Sequence, residues 1–99
     1  MTTDNDVAHI AELRDVIDRL DEQIVPLLAE RTRAVSRVAA YKRDADGVRA
    51  QGRADAVVAR ARNLAEQNGM PPDIIEAVYR TLISELTSFE LAEMHKAKA

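Results

Sequence analysis

The sequence predicts an all-α chain of three helices, the first of them long. Apolar residues recur at three- and four-residue steps along two extended stretches. Only three Gly and three Pro interrupt 99 residues. Charged residues make up 31% of the chain and aromatics 3%, a balance that suits helices with solvated faces better than turn-rich β folds. With no Trp and no Cys, the core has to be built from Leu, Ile, Val and Ala. This length fits one domain, expected over about residues 8–94, with residues 1–7 disordered and 95–99 a frayed tail.

The first helix is expected from about residue 7 to 41 or 42. Its stripe of Leu13, Ile17, Leu20, Ile24 and Leu27 steps by four, three, four and three. Pro26 falls inside it, and an interior proline removes a hydrogen bond and costs about 3 kcal/mol or bends the chain. The stripe keeps its phase beyond the proline, so one bent helix is expected rather than two helices meeting near Val25. Asp44-Ala45-Asp46-Gly47 is a turn signal, and residues 47–52 read as a loop. A second helix follows over about residues 53–68 and ends on Asn68-Gly69, a left-handed cap. Pro71-Pro72-Asp73 opens the third, with a proline suited to the first turn. That helix carries Ile75, Val78, Leu82, Leu86 and Phe89 and runs to about Met94.

A helix of 35 residues is about 50 Å long, whereas a compact chain of this size has a radius of gyration of about 13 Å. The first helix would therefore project beyond its own chain and expose its apolar stripe. A homodimer with two such helices packed together is the simplest cover.

Several function classes are excluded. Without Cys there are no disulfides, thiolate nucleophiles, Cys-ligated zinc or iron–sulfur clusters. A net charge of −3 and pI near 5.3 give no global attraction for nucleic acid, and three aromatics offer little base stacking. The polar, acidic start lacks the regions of a signal peptide, and no apolar run approaches the roughly 20 residues of a membrane span. The expected location is cytoplasmic. Gly47, Gly52 and Gly69 match no phosphate loop, Ser84 and Ser88 have no His at nucleophile spacing, and His9 and His95 lack the pattern of metal ligands.

What stands out is charge where the helical pattern asks for apolar residues. Continuing the first stripe past Leu27 gives Arg31, Val35, Val38 and Lys42. A buried cation needs an anionic partner. Arg31 and Lys42 lie eleven residues, almost three turns, apart and about 16 Å along the axis. They point the same way and either converge on an anion between them or end in internal salt bridges. Arg33 and Arg37 lie off the stripe and are expected to be solvated. Arg14 is about 25 Å and about 100° from Arg31 on one straight helix. It either pairs with Asp18 at i+4 or approaches the Arg31 region of a second, antiparallel chain. Glu90 stands on the third helix's stripe, four after Leu86. Burial there raises a carboxyl's pKa and makes it a donor, unless the helix edge lets it reach water. Arg53, opening the second helix, is another candidate anion contact or a solvated helix-start residue.

The run Leu13-Arg14-Asp15-Val16-Ile17-Asp18-Arg19-Leu20-Asp21-Glu22-Gln23-Ile24, followed by Leu28-Ala29-Glu30-Arg31 and Tyr41-Lys42, closely resembles the class II, all-helical chorismate mutases. The resemblance covers about residues 10–93. It implies an intertwined homodimer of three-helix chains in which each of two active sites borrows an arginine from the other subunit. By that resemblance Arg14 is the arginine donated across the dimer to a substrate carboxylate, and Arg31 is the in-chain carboxylate-binding arginine. Lys42 is the lysine on the ether oxygen and a carboxylate, Arg53 the arginine opening the second helix, and Glu90 the donor to the ether oxygen. The rearrangement of chorismate to prephenate is a concerted shift that needs no nucleophile, metal or cofactor. The protein has to hold a compressed dianion and stabilise negative charge growing on the ether oxygen.

Some positions depart from the mutase pattern. Ala54 replaces the acid usual after the second-helix arginine, no acid lies between Gly47 and Arg53, and Leu86 replaces a serine one turn before Glu90. The loop is short, with Arg53 eleven residues after Lys42. Similar features occur in the isochorismate-pyruvate lyase branch, and Glu90 is compatible with a 4-amino-4-deoxychorismate mutase. A non-catalytic dimerisation module is the alternative of another class. It would place apolar residues at Arg31, Lys42 and Glu90.

Overall fold

The computed structural model describes residues 3–41 and 47–98. Three helices, α1 (Asp4–Tyr41), α2 (Gly47–Gln67) and α3 (Pro72–Lys98), account for nearly all of them, and there is no strand among the described residues. The all-α, three-helix class agrees with the sequence. Two compact units divide the chain, Met1–Val38 and Ala39–Ala99.

α1 begins at Asp4 rather than about Val7, and its cap explains why. The Thr3 hydroxyl accepts from the Asp6 amide at 3.1 Å, and the Asp6 carboxylate accepts from the Thr3 amide at 3.2 Å. This reciprocal pair satisfies amides that the first turn leaves open. Asp4 and Asp6 also set negative charge against the positive end of the helix dipole. The helix continues through Pro26. No α1 residue is buried. Its stripe is open to solvent within its own unit, from Leu20 at 48% to Leu13 at 62% exposure.

α2 and α3 pack on each other as an antiparallel hairpin. α2 contributes Val58, Ala61 and Ala65, all buried, at steps of three and four that place them on one face. Half-buried Ile75, Tyr79, Leu82, Ile83 and Leu86 line the opposing face of α3. The expected stripe is therefore corrected at two positions, since Val78 and Phe89 are exposed. From Ile75 the pattern can step to Val78 or to Tyr79, and the row through Tyr79 is the one aligned with the small side chains of α2. α3 also runs past Met94 to Lys98.

The loop expected over residues 47–52 is corrected as well, because α2 starts at Gly47. Residues between the two glycines include the good helix formers Arg49, Ala50 and Gln51, which offset the roughly 1 kcal/mol that an interior glycine costs. Residues 44–46 of the expected turn lie outside the described residues.

The hairpin turn follows the Schellman pattern. The Met70 amide donates to Ala65 C=O at 2.9 Å and the Gly69 amide to Glu66 C=O at 3.2 Å, which satisfies carbonyls that the helix end leaves open. The crossing requires a left-handed residue, and Gly69 takes it with φ of 71°. Asn68 adds a side-chain amide bond to Leu64 C=O at 2.8 Å. Pro71 then caps α3, its carbonyl accepting from the Ile74 amide at 3.2 Å, and Pro72 holds the first helical position, where no N–H is needed. No helix among the described residues is long and apolar enough to cross a membrane.

Candidate active site

On α1, Arg31 follows Leu27 and precedes Val35 by one turn each, which fixes it on the helix's apolar stripe. It is half-buried together with Ala29, Thr32 and Val35, whereas Arg33 and Arg37, off the stripe, are exposed. The contrast between these arginines is the one their spacing predicts. Arg14 is exposed beside Leu13, at the start of the stripe. Seventeen residues of one helix keep Arg14 and Arg31 about 25 Å apart, so a single copy of α1 does not bring them together on a small ligand.

On the hairpin, Arg53 is exposed on α2, and Glu90 is half-buried on α3 in line with Leu82 and Leu86. Arg53 stands sixteen residues before Gly69 and Glu90 eighteen after Pro72, so both sit in the half of the hairpin away from its turn. At 1.5 Å per residue they are about 24 and 27 Å from it. Ala54 and Leu86, the two apolar departures from the mutase pattern, are also half-buried. Lys42 lies outside the described residues, as does the His95 side chain, and His9 is exposed.

A charged network along the hairpin was missed by the sequence reading. Arg62 of α2 donates to Asp73 at 2.8 Å and to Glu76 at 2.9 Å. Glu76 accepts in turn from Arg80 at 2.9 Å, one helical turn on, and Arg80 reaches back to Asp55 of α2 at 3.5 Å. The guanidinium of Arg80 above all, opposed by desolvation and aided by that of Arg62, holds the Glu76 carboxyl below the usual carboxylate range. The carboxylates of Asp73 and Glu76 raise Arg62, and that of Glu76, chiefly, raises Arg80. The signal was available. Asp55 and Arg62 are two turns apart on one helix, and Asp73, Glu76 and Arg80 step by three and four on the other.

The cationic groups Arg14, Arg31 and Arg53 are planar forks suited to bidentate contact with carboxylates. Among the described residues no cluster of three His, Asp or Glu is arranged to hold a metal.

A family model described as chorismate mutase type II matches residues 13–91. The chain is 38% identical over 80 residues to the T-protein of Enterobacter agglomerans, covering 80% of this chain and 21% of that protein. It is 29% identical over 83 residues to the isochorismate pyruvate lyase of Pseudomonas aeruginosa, covering 84% of this chain and 82% of the lyase. The chain thus spans about a fifth of the T-protein and most of the lyase. No solved structure matches it.

Proposed function

The chain belongs to the chorismate mutase type II family, and on that premise we propose that it is a cytoplasmic, homodimeric chorismate mutase that converts chorismate to prephenate for aromatic amino acid synthesis. The match to the family over residues 13–91 carries the reading. Half-buried Arg31, with Arg53, holds the substrate's carboxylates. Lys42 and Glu90 donate to the ether oxygen as its bond to carbon breaks. Arginine clamps keep the dianion in the compressed conformation, which lowers the barrier by removing unproductive geometries. Donors aimed at the ether oxygen act on charge that exists only in the transition state. Glu90 has to carry its proton to donate, because as a carboxylate it repels the developing charge.

The dimer supplies the remaining contact. The exposed α1 stripe needs a cover, and a second α1 running antiparallel provides one. Charge along the helix favours that direction. Residues 4–24 hold seven acids and two arginines, while residues 29–41 hold Arg31, Arg33 and Arg37 against Glu30. Antiparallel pairing sets the acidic half of each copy on the basic half of the other, and brings Arg14 of one chain toward the Arg31 region of its partner.

The second reading is isochorismate-pyruvate lyase action, favoured by coverage of 82% of the Pseudomonas lyase and by Ala54 and Leu86. Mutase action on 4-amino-4-deoxychorismate is compatible with Glu90. Incubating the protein separately with chorismate, isochorismate and 4-amino-4-deoxychorismate, and identifying products, decides among them. Prephenate from chorismate supports the first reading, and turnover of none of the three overturns the enzymatic one. Arg31→Ala is expected to stay folded and lose about a hundredfold or more in kcat/KM. A non-catalytic dimerisation module would show no activity to lose.

A further inference from the structure

The α2–α3 interface has an unusual division of labour. Its buried residues on α2 are Val58, Ala61 and Ala65. Two of the three are alanines, which let the helices approach closely, and the large side chains of the interface come from α3, where Ile75, Tyr79, Leu82, Ile83 and Leu86 are half-buried. Alanines offer those side chains shallow holes, so packing alone holds the register of α3 on α2 less firmly than two interlocked rows of large side chains would. The ion network is built differently. Glu76 accepts from Arg62 across the interface at 2.9 Å and from Arg80 on its own helix at 2.9 Å, while Arg80 crosses back to Asp55 at 3.5 Å. Three cross-helix links, Arg62 to Asp73 and to Glu76 and Arg80 to Asp55, leave α2 from two positions seven residues apart, about 10 Å along the axis. A slip of one turn, about 5.4 Å, breaks Asp55–Arg80 and leaves Arg62 only one of its two carboxylates.

We propose that Glu76 is a positioning residue: the Asp55–Arg80–Glu76–Arg62 network sets the register of α3 on α2, and with it the spacing between Arg53 and Glu90. The inference rests on the reading of those two residues as site groups. Neither Glu76 nor its arginines touch the substrate in that reading. They act by fixing the two helices that carry the groups that do. A displacement of about 1 Å at reacting groups is enough to cost up to a hundredfold in rate, and groups that act only in the transition state lower kcat rather than raise KM when misplaced.

Register can be measured without reference to activity. The chain has no Cys, so nitroxide labels on Ala56→Cys of α2 and Ser84→Cys of α3, both exposed positions, report the interhelical distance by pulsed electron resonance. Labelled chain is diluted with unlabelled chain so that only distances within one chain contribute. Glu76→Gln is expected to broaden or shift this distribution and to lower kcat by about tenfold, with KM within about twofold. High salt, which screens exposed ion pairs, is expected to do the same to the parent protein and little more to Glu76→Gln. Asp73→Asn weakens one cross-helix link, Arg62–Asp73, and is expected to change distance and kcat less than Glu76→Gln, which weakens the contacts to both arginines. A distance distribution unmoved by Glu76→Gln overturns the proposal, as does a shifted distribution with kcat intact. If the parent protein turns over none of the three substrates, the functional reading fails, and the distance measurement still decides whether the network sets register.

Discussion

Replacing glycine by alanine at two positions of the hairpin is expected to move stability in opposite directions. Gly69 and Gly52 both face open space, since a Cβ added at either meets nothing within 4 Å. Steric clash with neighbours is therefore absent from both, and only backbone conformation distinguishes them. At Gly69, φ is 71°, a left-handed conformation that costs an L-residue about 1–2 kcal/mol. The Schellman bonds of Gly69 and Met70 hold the residue there, so Gly69→Ala pays that cost. Gly52 lies inside α2, where Gly→Ala reduces the freedom of the unfolded chain and stabilises by about 0.5–1 kcal/mol. For a domain of this size 1 kcal/mol corresponds to about 4–8 °C in Tm. Gly69→Ala is then expected to lower Tm by about 4–16 °C and Gly52→Ala to raise it by about 2–8 °C. Thermal unfolding followed by far-ultraviolet circular dichroism reads both, at matched protein concentration because assembly makes Tm concentration-dependent. Gly69→Asn serves as a check, since asparagine tolerates the left-handed region and should lose less than alanine. Shifts of the same sign for the two alanine variants would refute the assignment of the cost to backbone conformation.

Three further outcomes follow from the same residues. The Glu76 carboxyl is held below its ordinary value of 4.5 in the fold, so its contribution to stability is fully present above that pH and is lost as pH falls through the lowered native value; acid titrations of Tm should therefore show a shallower loss in Glu76→Gln than in the parent. Glu90→Leu, which removes the proposed donor to the ether oxygen, is expected to lower kcat by about a hundredfold or more, whereas Glu90→Gln keeps a donor and should retain most of the turnover; equal losses in the two variants count against the role given to Glu90. Leu20→Lys puts a charge in the middle of the α1 stripe and should weaken the homodimer by about a hundredfold or more, from the roughly 1.5–3 kcal/mol of apolar burial lost on each chain. Sedimentation that stays dimeric at low micromolar concentration would show that α1 is not the dimer contact.

Much of this molecule is legible in its sequence because helices report their own periodicity. The stripe from Leu13 to Leu27, the Asn68-Gly69 cap and the Pro71-Pro72 start are local signals, and the helices form where those signals stand. Position on the stripe also separated half-buried Arg31 from exposed Arg33 and Arg37. What escaped was decided by competition or by partners. The α2 start was misread because two glycines suggest a loop, whereas the residues between them sustain a helix. The α3 stripe was misread at Val78 because two apolar rows were available and α2 selected the one through Tyr79. The ion network was missed because it belongs to no single helix. Asp55, Arg62, Glu76 and Arg80 look like solvated charges until the hairpin turn sets one row against the other.

The hairpin turn also has a consequence for the order of folding. Four residues, Asn68 to Pro71, join two helices whose contacts then zip outward from the turn. Closing so short a loop costs little entropy, and pairing between near neighbours in sequence is the kind that forms fast. α1 has no buried residue of its own. The hairpin is therefore the natural first-formed unit, reached at a rate independent of protein concentration. Association of α1 with a second copy is a bimolecular event, so refolding of the proposed dimer should separate into an early phase insensitive to concentration and a later one that accelerates with it.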